Sequence, residues 1–427
     1  MQPINAQSNA SNTPSFGKWR NFFWPIHNYE LKKLLPMFVL FFMITFVYNI
    51  LRTLKITMVL DAVQECEKIS AHGHLGGAVV SGAKILPFLK VWAVLPGALL
   101  VTYIFTVLAN RCRREVLFYT MISLFLGFFC IYGFILYPNR HVLELHDFAS
   151  RLKTSLPSGL AGLVDIIEIW PATLFYVVAE TWSTIALSVL FWGFANEVTT
   201  VDEAKRFYAI FALGSNASGI FSGKFGELLS KNSQSWDALV SNTILAVLVL
   251  GFLIMCLFRV LNASVLTNPK YNAHIPTEED ENKKLLEKAN RKHVTLRESF
   301  AYLATSKYML YVAVIVVGYN IVYNLADVLF THQIEQAYLG QPNGAVQLNA
   351  YMNNITSITG IIAVLSALFI SGNVIRRFGW TVAALITPII WLFTSVGFFL
   401  SLYLKNTEWA AALQSFMGVQ ALSMLLF

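Results

Sequence analysis

Long apolar stretches separated by short polar ones dominate the chain. Those long enough to cross a bilayer as helices need about 20 residues each. They cover Leu34–Leu60, Ile85–Leu108, Val116–Tyr137, Pro171–Asn196, Phe207–Leu229 and Leu239–Leu261, then Tyr308–Thr331, Ile355–Gly372, Thr381–Leu404 and Ala410–Phe427. None alternates apolar with polar residues, as tilted barrel strands would. Backbone groups in hydrocarbon must bond within their own segment, which also selects helices. The pattern predicts an all-α, multi-pass integral membrane protein surrounded by lipid.

The one long polar stretch, Asn262–Lys307, follows the sixth span. It contains a Thr277/Asp280 pairing like a capping box and the helical pairs Glu279/Lys283 and Asp280/Lys284, and it reads as a solvated cytoplasmic helix. Six helices, a long linker and then more helices is the layout of major-facilitator transporters, built from two six-helix halves. The predicted organisation is a cytoplasmic tail at 1–33, a first six-helix half at 34–261, a linker at 262–307 and a second half at 308–427. The second half shows four spans, and the sequence stops inside an apolar run at Phe427. A complete second half would contain two further helices.

Composition supports the membrane reading. Hydrophobic residues make up 56% and charged residues 13%, against about a quarter charged in soluble domains. The mean hydropathy is +0.57. The net charge of +7 is better assigned to basic cytoplasmic loops than to a nucleic-acid partner. Lys32 and Lys33, Arg111, Arg113 and Arg114, Lys205 and Arg206, and Arg376 and Arg377 all fall on one side of the predicted topology. That side is cytoplasmic, with the N-terminus. The Pro138–Gly162 loop is an exception, since it carries Arg140, Arg151 and Lys153 on the opposite side. The polar stretch Met1–Phe16 lacks the features of a signal peptide.

Ionisable residues inside spans mark candidate function. Asn49, Arg52 and Lys55 recur every third residue and share a helix face. Two cations there call for an anion, and a phosphate chain suits. Glu180, with Tyr176 one turn before it, is the ionisable group of the fourth span and a partner for Lys55 or Arg52. Asn320, Tyr323, Asn324 and Asp327 make a polar stripe on the seventh. Ser215, Gly219 and Gly223, four apart, suit close helix packing. Several other signals are weak. The string G-I-F-S-G-K at Gly219–Lys224 has the wrong spacing for a phosphate loop. His72 and His74 have no third ligand, and the four cysteines show no CxxC spacing. No metal, cofactor or enzymatic motif is expected.

Longer strings carry a resemblance. W-P-I-H-N-Y-E-L-K-K-L-L-P-M-F (Trp24–Phe38), Y-N-I-L-R-T-L-K (Tyr48–Lys55), A-E-T-W-S (Ala179–Ser183), F-W-G-F-A-N-E-V-T-T-V-D-E-A-K-R-F-Y (Phe191–Tyr208) and G-N-V-I-R-R-F-G-W (Gly372–Trp380) resemble the nucleotide transporters of the ATP/ADP translocase type. These occur in intracellular bacteria and plastids. The resemblance runs from about Lys18 to Leu404. It implies a major-facilitator-like helical bundle, with twelve spans expected of the family, that moves nucleotides. It also places charged intramembrane positions at Lys55, Glu180 and Asp327. The match departs in places. Thr53, Leu54 and Ile56 stand where acids usually flank the lysine, and Asp327 stands where glutamate is usual.

On this reading Lys55 and Arg52 bind phosphates, while Glu180 and Asp327 neutralise them in the empty state or take up a proton. Asn324 and Asn49 contact ribose or base, and Tyr176 stacks on the base. Exchange of ATP for ADP, import of nucleoside triphosphates with protons or phosphate, and transport of NAD or another phosphorylated anion all stay open. So does a non-transporting receptor or scaffold that kept the fold.

Overall fold

The computed structural model describes residues 30–72, 82–263, 306–368 and 372–404. Among them every regular element is helical. The chain rises through α1 (Leu31–His72), returns through α2 (Gly82–Arg111) and rises again through α3 (Arg114–Leu136). A folded cap follows, made of α4 (Arg140–Leu143), α5 (His146–Ser155) and α6 (Ala161–Glu168). Then come α7 (Trp170–Val198), α8 (Val201–Asn232) and α9 (Trp236–Leu261), and beyond the undescribed segment α10 (Lys307–Tyr338), α11 (Gly344–Ser366) and α12 (Gly372–Leu404).

The central element is α1. Its 42 residues extend about 60 Å at ~1.5 Å per residue, past both faces of a ~30 Å hydrocarbon layer. Met37, Leu40, Ile44, Val47, Leu51 and Val59 are fully buried. A helix that is apolar all round is buried all round, and α1 packs against α7, α8, α9 and α11. Asp61 and Glu65, expected in a loop after a span ending at Leu60, instead lie on its last turns. No glycine or proline stands between Leu60 and His72 to stop the helix.

Six helices are long and apolar enough to cross a membrane: the described parts of α1, α2, α3, α7, α9 and α10. Two other expected spans, Phe207–Leu229 and Ile355–Gly372, form the longer and more polar helices α8 and α11. The second begins at Gly344, well before the apolar run. Its added residues are tolerated because α8 and α11 make the most extensive helix–helix contact in the molecule. Asn349 donates to Thr57 Oγ1 (3.3 Å), Ser230 donates to Asn349 Oδ1 (3.2 Å), and Ser357 donates to the Ile220 carbonyl (2.9 Å). Buried polar groups are thus paired rather than facing lipid.

Small residues allow that approach. A side chain at Gly223 or Gly226 would collide with Asn353, and one at Gly360 would stand 2.8 Å from Ile220 N. Gly219 is looser, with its nearest neighbour at 3.6 Å. The Ser215/Gly219/Gly223 pattern therefore is a packing surface. Arg376 and Arg377, expected in the loop before the ninth span, fall inside α12. The 262–307 capping box and ion pairs, His74 and the Ala410–Phe427 span lie outside the described residues.

Ion pairs tie the N-terminal helices together at both ends. At the Leu31 end, Arg206 binds Glu30 at 2.5 and 3.1 Å and Lys33 binds Glu203 at 2.8 Å. Thr200 and Glu203 form a reciprocal capping box that starts α8. At the His72 end, the Pro138–Gly162 segment is mostly helical rather than an open loop. Arg140 meets Asp237 at 2.9 Å, and Lys153 meets Asp165 at 2.6 Å and Glu168 at 2.7 Å. Burial alone would lower the Lys153 ammonium, but its hydrogen bonds to Asp165 and Glu168 outweigh that and raise it. These carboxylates offset two of the cations that made this segment an exception in the charge pattern.

Gly223→Ala is expected to destabilise the detergent-solubilised protein by about 1–3 kcal/mol through overpacking. Gly219→Ala is expected to be neutral or stabilising, since alanine is the better helix former. Thermal unfolding of the two variants checks this; equal midpoints would contradict the packing assignment.

Candidate functional site

Four helices bring ionisable side chains together midway along the bundle. α1 supplies Arg52 and Lys55, α2 supplies Lys90, α7 supplies Glu180, and α10 supplies Tyr323, Asn324 and Asp327. The periodicity that puts Arg52 and Lys55 on one face turns that face toward α7 and α10.

Lys55 and Glu180 form an ion pair, with side chains 4% and 37% exposed. The Lys55 ammonium also sits 4.8 Å from the centre of the Tyr176 ring, a favourable placement over an electron-rich face. Tyr176 is 2% exposed, so in this arrangement it supports the ammonium and has no open face for a base. Trp182 anchors the same helix by donating to the Ile44 carbonyl at 3.3 Å. Glu180 reaches the open side of the pair, so an incoming anion can displace it from Lys55.

Arg52 donates to the Tyr323 hydroxyl at 3.0 Å. Asn324 and Asp327 lie along the same stripe of α10, as the i, i+3, i+4, i+7 spacing predicts, but their partner is neither Lys55 nor Arg52. Lys90 donates to Asn324 Oδ1 at 2.9 Å and to Asp327 Oδ2 at 3.0 Å. Sequence reasoning missed Lys90. Its signal was present: a lysine between Ile85–Leu89 and Val91–Leu95, inside a predicted span. Asn49 is turned elsewhere, donating to Ser218 Oγ of α8 at 3.3 Å. Asn320, the outermost member of the stripe, is exposed and donates to its own helix at the Val316 carbonyl.

The backbone is adjusted around two of these positions. Residues Lys90–Val94 are π-helical, and Leu95 N–H reaches back to the Lys90 carbonyl. Pro96 follows and has no N–H to give. A second π segment, Ser183–Phe191, begins three residues after Glu180. Wide turns of this kind recur at functional sites because they re-aim side chains within a helix.

Three cations face two carboxylates, so the cluster carries one uncompensated positive charge in a mostly apolar bundle. Such a charge is costly in hydrocarbon, and an anion entering the cluster relieves it. Tyr319, Tyr323 and Trp391 stand next to it, with ring centres 6.1–6.2 Å apart. Their flat faces suit a planar group attached to the anion.

The hydrogen bonds joining α10 to the N-terminal helices lie toward its Tyr338 end. Beyond Arg52–Tyr323 and Lys90–Asp327 are the amides of Gly82 and Ala83, which donate to Glu335 at 2.8 and 3.0 Å. Gln64 donates to the Leu339 carbonyl. Toward the Lys307 end, Tyr308, Tyr311, Val314 and Ile315 are exposed.

Comparison with known proteins identifies the family. The family described as TLC ATP/ADP transporter matches residues 9–427. ADP,ATP carrier protein 1 of Chlamydia pneumoniae is 39% identical over 398 residues, which cover 92% of this chain and 72% of the carrier. ADP,ATP carrier protein 4 of Rickettsia conorii is 32% identical, over 93% of this chain and 74% of the relative. The plastidic ATP/ADP-transporter of Solanum tuberosum is 36% identical, over 92% and 58%. No solved structure matches.

A double-mutant cycle on Lys55→Met and Glu180→Gln is expected to give a coupling of about 0.5–3 kcal/mol in stability. Each single variant leaves an unpaired charge or a stranded acceptor, and the double variant leaves neither. Strict additivity would mean that the two side chains do not form a pair in the protein.

Proposed function

The chain belongs to the TLC ATP/ADP transporter family, and from that premise we propose that it exchanges ATP for ADP across a membrane by alternating access around the cluster of Arg52, Lys55 and Lys90. The observation that carries this reading is the excess cationic charge held by two displaceable carboxylates, Glu180 and Asp327. The phosphate chain takes their place on Lys55 and Lys90 through charge-assisted hydrogen bonds, roughly twice as strong as neutral ones. Arg52 adds a planar fork suited to phosphate oxygens. Asn324 contacts the ribose once Lys90 has turned to the phosphates. Asn49 holds α1 against α8 beside the site, and the Tyr319/Tyr323/Trp391 faces receive the base.

Two bodies, residues 34–261 and 308–427 joined by 262–307, rock against each other in this scheme. Lys90–Asp327 and Arg52–Tyr323 cross between them. The arrangement of bonds along α10 suits a state closed at the His72 end and open toward the Leu31 end. Charge-pair exchange then links binding to motion. When phosphate displaces Asp327 from Lys90, one of the bonds holding the two bodies is released.

The names of the relatives favour exchange over NAD transport or a silent scaffold. Phosphate or a proton accompanies the nucleotide where its charge is not balanced by the counter-substrate. A cytoplasmic N-terminus is supported by Arg111, Arg113, Arg114 and Arg206, which gather at the Leu31 end, and a bacterial inner membrane is the proposed location.

Uptake of labelled ATP by cells expressing the chain tests the proposal. Uptake is expected to require internal ADP and to withstand a protonophore. Lys90→Ala and Lys55→Ala are each expected to lower it about tenfold or more, the loss of one hydrogen bond to a charged group. Uptake that ignores internal ADP and collapses with the protonophore would replace exchange with proton-driven import. Full uptake by Lys90→Ala would remove that residue from the site.

A further inference from the structure

At the His72 end, far along α1 from the Lys55 cluster, α1, the α4–α5 turn and α6 converge on a second group of side chains. Cys66, Glu144 and His146 offer one ligand atom each, all within 4.8 Å of one another. Cys66 and Glu144 are buried, and His146 keeps an open edge, its side chain 24% exposed.

The protonation pattern of His146 is the informative point. Its Nδ1 lies 3.0 Å from Glu168 Oε1, while Cys66 Sγ is 3.9 Å from the same nitrogen. Glu168 is held in place by Lys153, which donates to its other oxygen at 2.7 Å. A carboxylate so fixed accepts a hydrogen bond from Nδ1–H, so in the neutral ring the lone pair stands on Nε2. That lone pair faces another acceptor, Glu144 Oε2, at 3.2 Å. The Glu144 side chain is 2% exposed, and Oε2 has no hydrogen-bond partner among the described residues. Two lone pairs at this distance, one on a buried carboxylate, are bridged by a proton or by a metal ion, and the Cys66 sulfur brought to the same place is a donor that a metal uses and a proton does not.

Charge fixes its size. Glu144, Glu168 and Asp165 against Lys153 leave two negative charges with the ring neutral and Cys66 a thiol, and three once the thiol gives its proton to solvent on binding, so a divalent ion suits. The donors fix its type. Thiolate, imidazole and carboxylate together suit zinc-class metals rather than calcium or magnesium, which prefer oxygen alone. The Glu168–His146 bond is the arrangement by which a ligating histidine is oriented through its other nitrogen. A pair of donor atoms about 3.2–3.5 Å apart is also the edge of a tetrahedral site with bonds of ~2.0–2.1 Å.

We propose that Cys66 Sγ, Glu144 Oε2 and His146 Nε2 bind one zinc-class divalent ion, oriented by Glu168, with its fourth position open at the exposed edge of His146. The ion ties the end of α1 to the cap before α7, stabilising the wall opposite the Leu31 end. This site is separate from the nucleotide cluster and does not depend on it.

The test uses the untagged full chain, purified in detergent, stripped with a chelator and then equilibrated with zinc and desalted. About one zinc per chain is expected to remain. Cys66→Ser and Glu144→Gln, each near-isosteric, are expected to lose it, and Glu168→Gln to weaken it about 10–100-fold. Cobalt added to the unsubstituted protein is expected to give a near-ultraviolet thiolate-to-metal band that is absent in Cys66→Ser. No retained zinc, or equal retention by Cys66→Ser and Glu144→Gln, would overturn the proposal. Absence of the cobalt band in the unsubstituted protein would do the same without reliance on any variant.

Discussion

A lysine ammonium buried in the middle of a helical bundle must have an anion, and much of the molecule serves the one at Lys55. Its side chain is 4% exposed and its partner is Glu180, which is more open. Holding such a pair in place requires α1 and α7 to keep a fixed register. Phe41 stacked on Phe191 at 4.2 Å and the Trp182 bond to the Ile44 carbonyl join α1 to α7 directly, while Phe125 and Phe129 of α3 pack on Trp182 and Phe175 of α7 from the other side. A buried ion pair is weak evidence for stability in itself, because desolvation cancels most of its attraction. Its retention here has a functional explanation. An ammonium whose partner is exposed can change partners, and a phosphate chain offers a better one.

A second constraint comes from the polar helices. α8 and α11 would be poor membrane spans alone, yet together they bury Ser222, Ser230, Asn353 and Ser357 against each other. Glycines at the crossing let the backbones meet, so the hydrogen bonds close without water. This junction joins the N-terminal and C-terminal helices over a long face. The contacts of α10 are sparser and ionic. A rigid seam beside a set of exchangeable charge pairs is the combination that rocking motion needs: one edge holds while the other opens.

The apolar periods made the fold legible in outline, and the starts and ends of most spans lay within a few residues of the runs that predicted them. The main misses at a boundary were the end of α1, which runs on from Leu60 to His72, and the start of α11. Its first turns contain Gln347, Asn349 and Asn353, which look like loop when their partners on α8 and α1 are unknown. The site was legible where a charge stood alone in an apolar run, as at Lys55, Glu180 and Asp327. Which of them meet was not. The pairing of Lys55 with Glu180 was among the expected options, but Asp327 goes to Lys90, because the π turn before Pro96 aims that side chain across to α10. The Cys66/Glu144/His146 group was invisible for a simpler reason: 77 residues lie between Cys66 and Glu144, and no ligand spacing survives such a separation.

The central claim is that the Arg52/Lys55/Lys90 cluster reads phosphates. Binding of adenosine, AMP, ADP and ATP to the purified protein, measured calorimetrically at one ionic strength, tests it most directly. Affinity is predicted to rise with each added phosphate, by about tenfold or more across the series, and the rise should flatten in Lys90→Met. Adenosine binding as tightly as ATP would contradict the account.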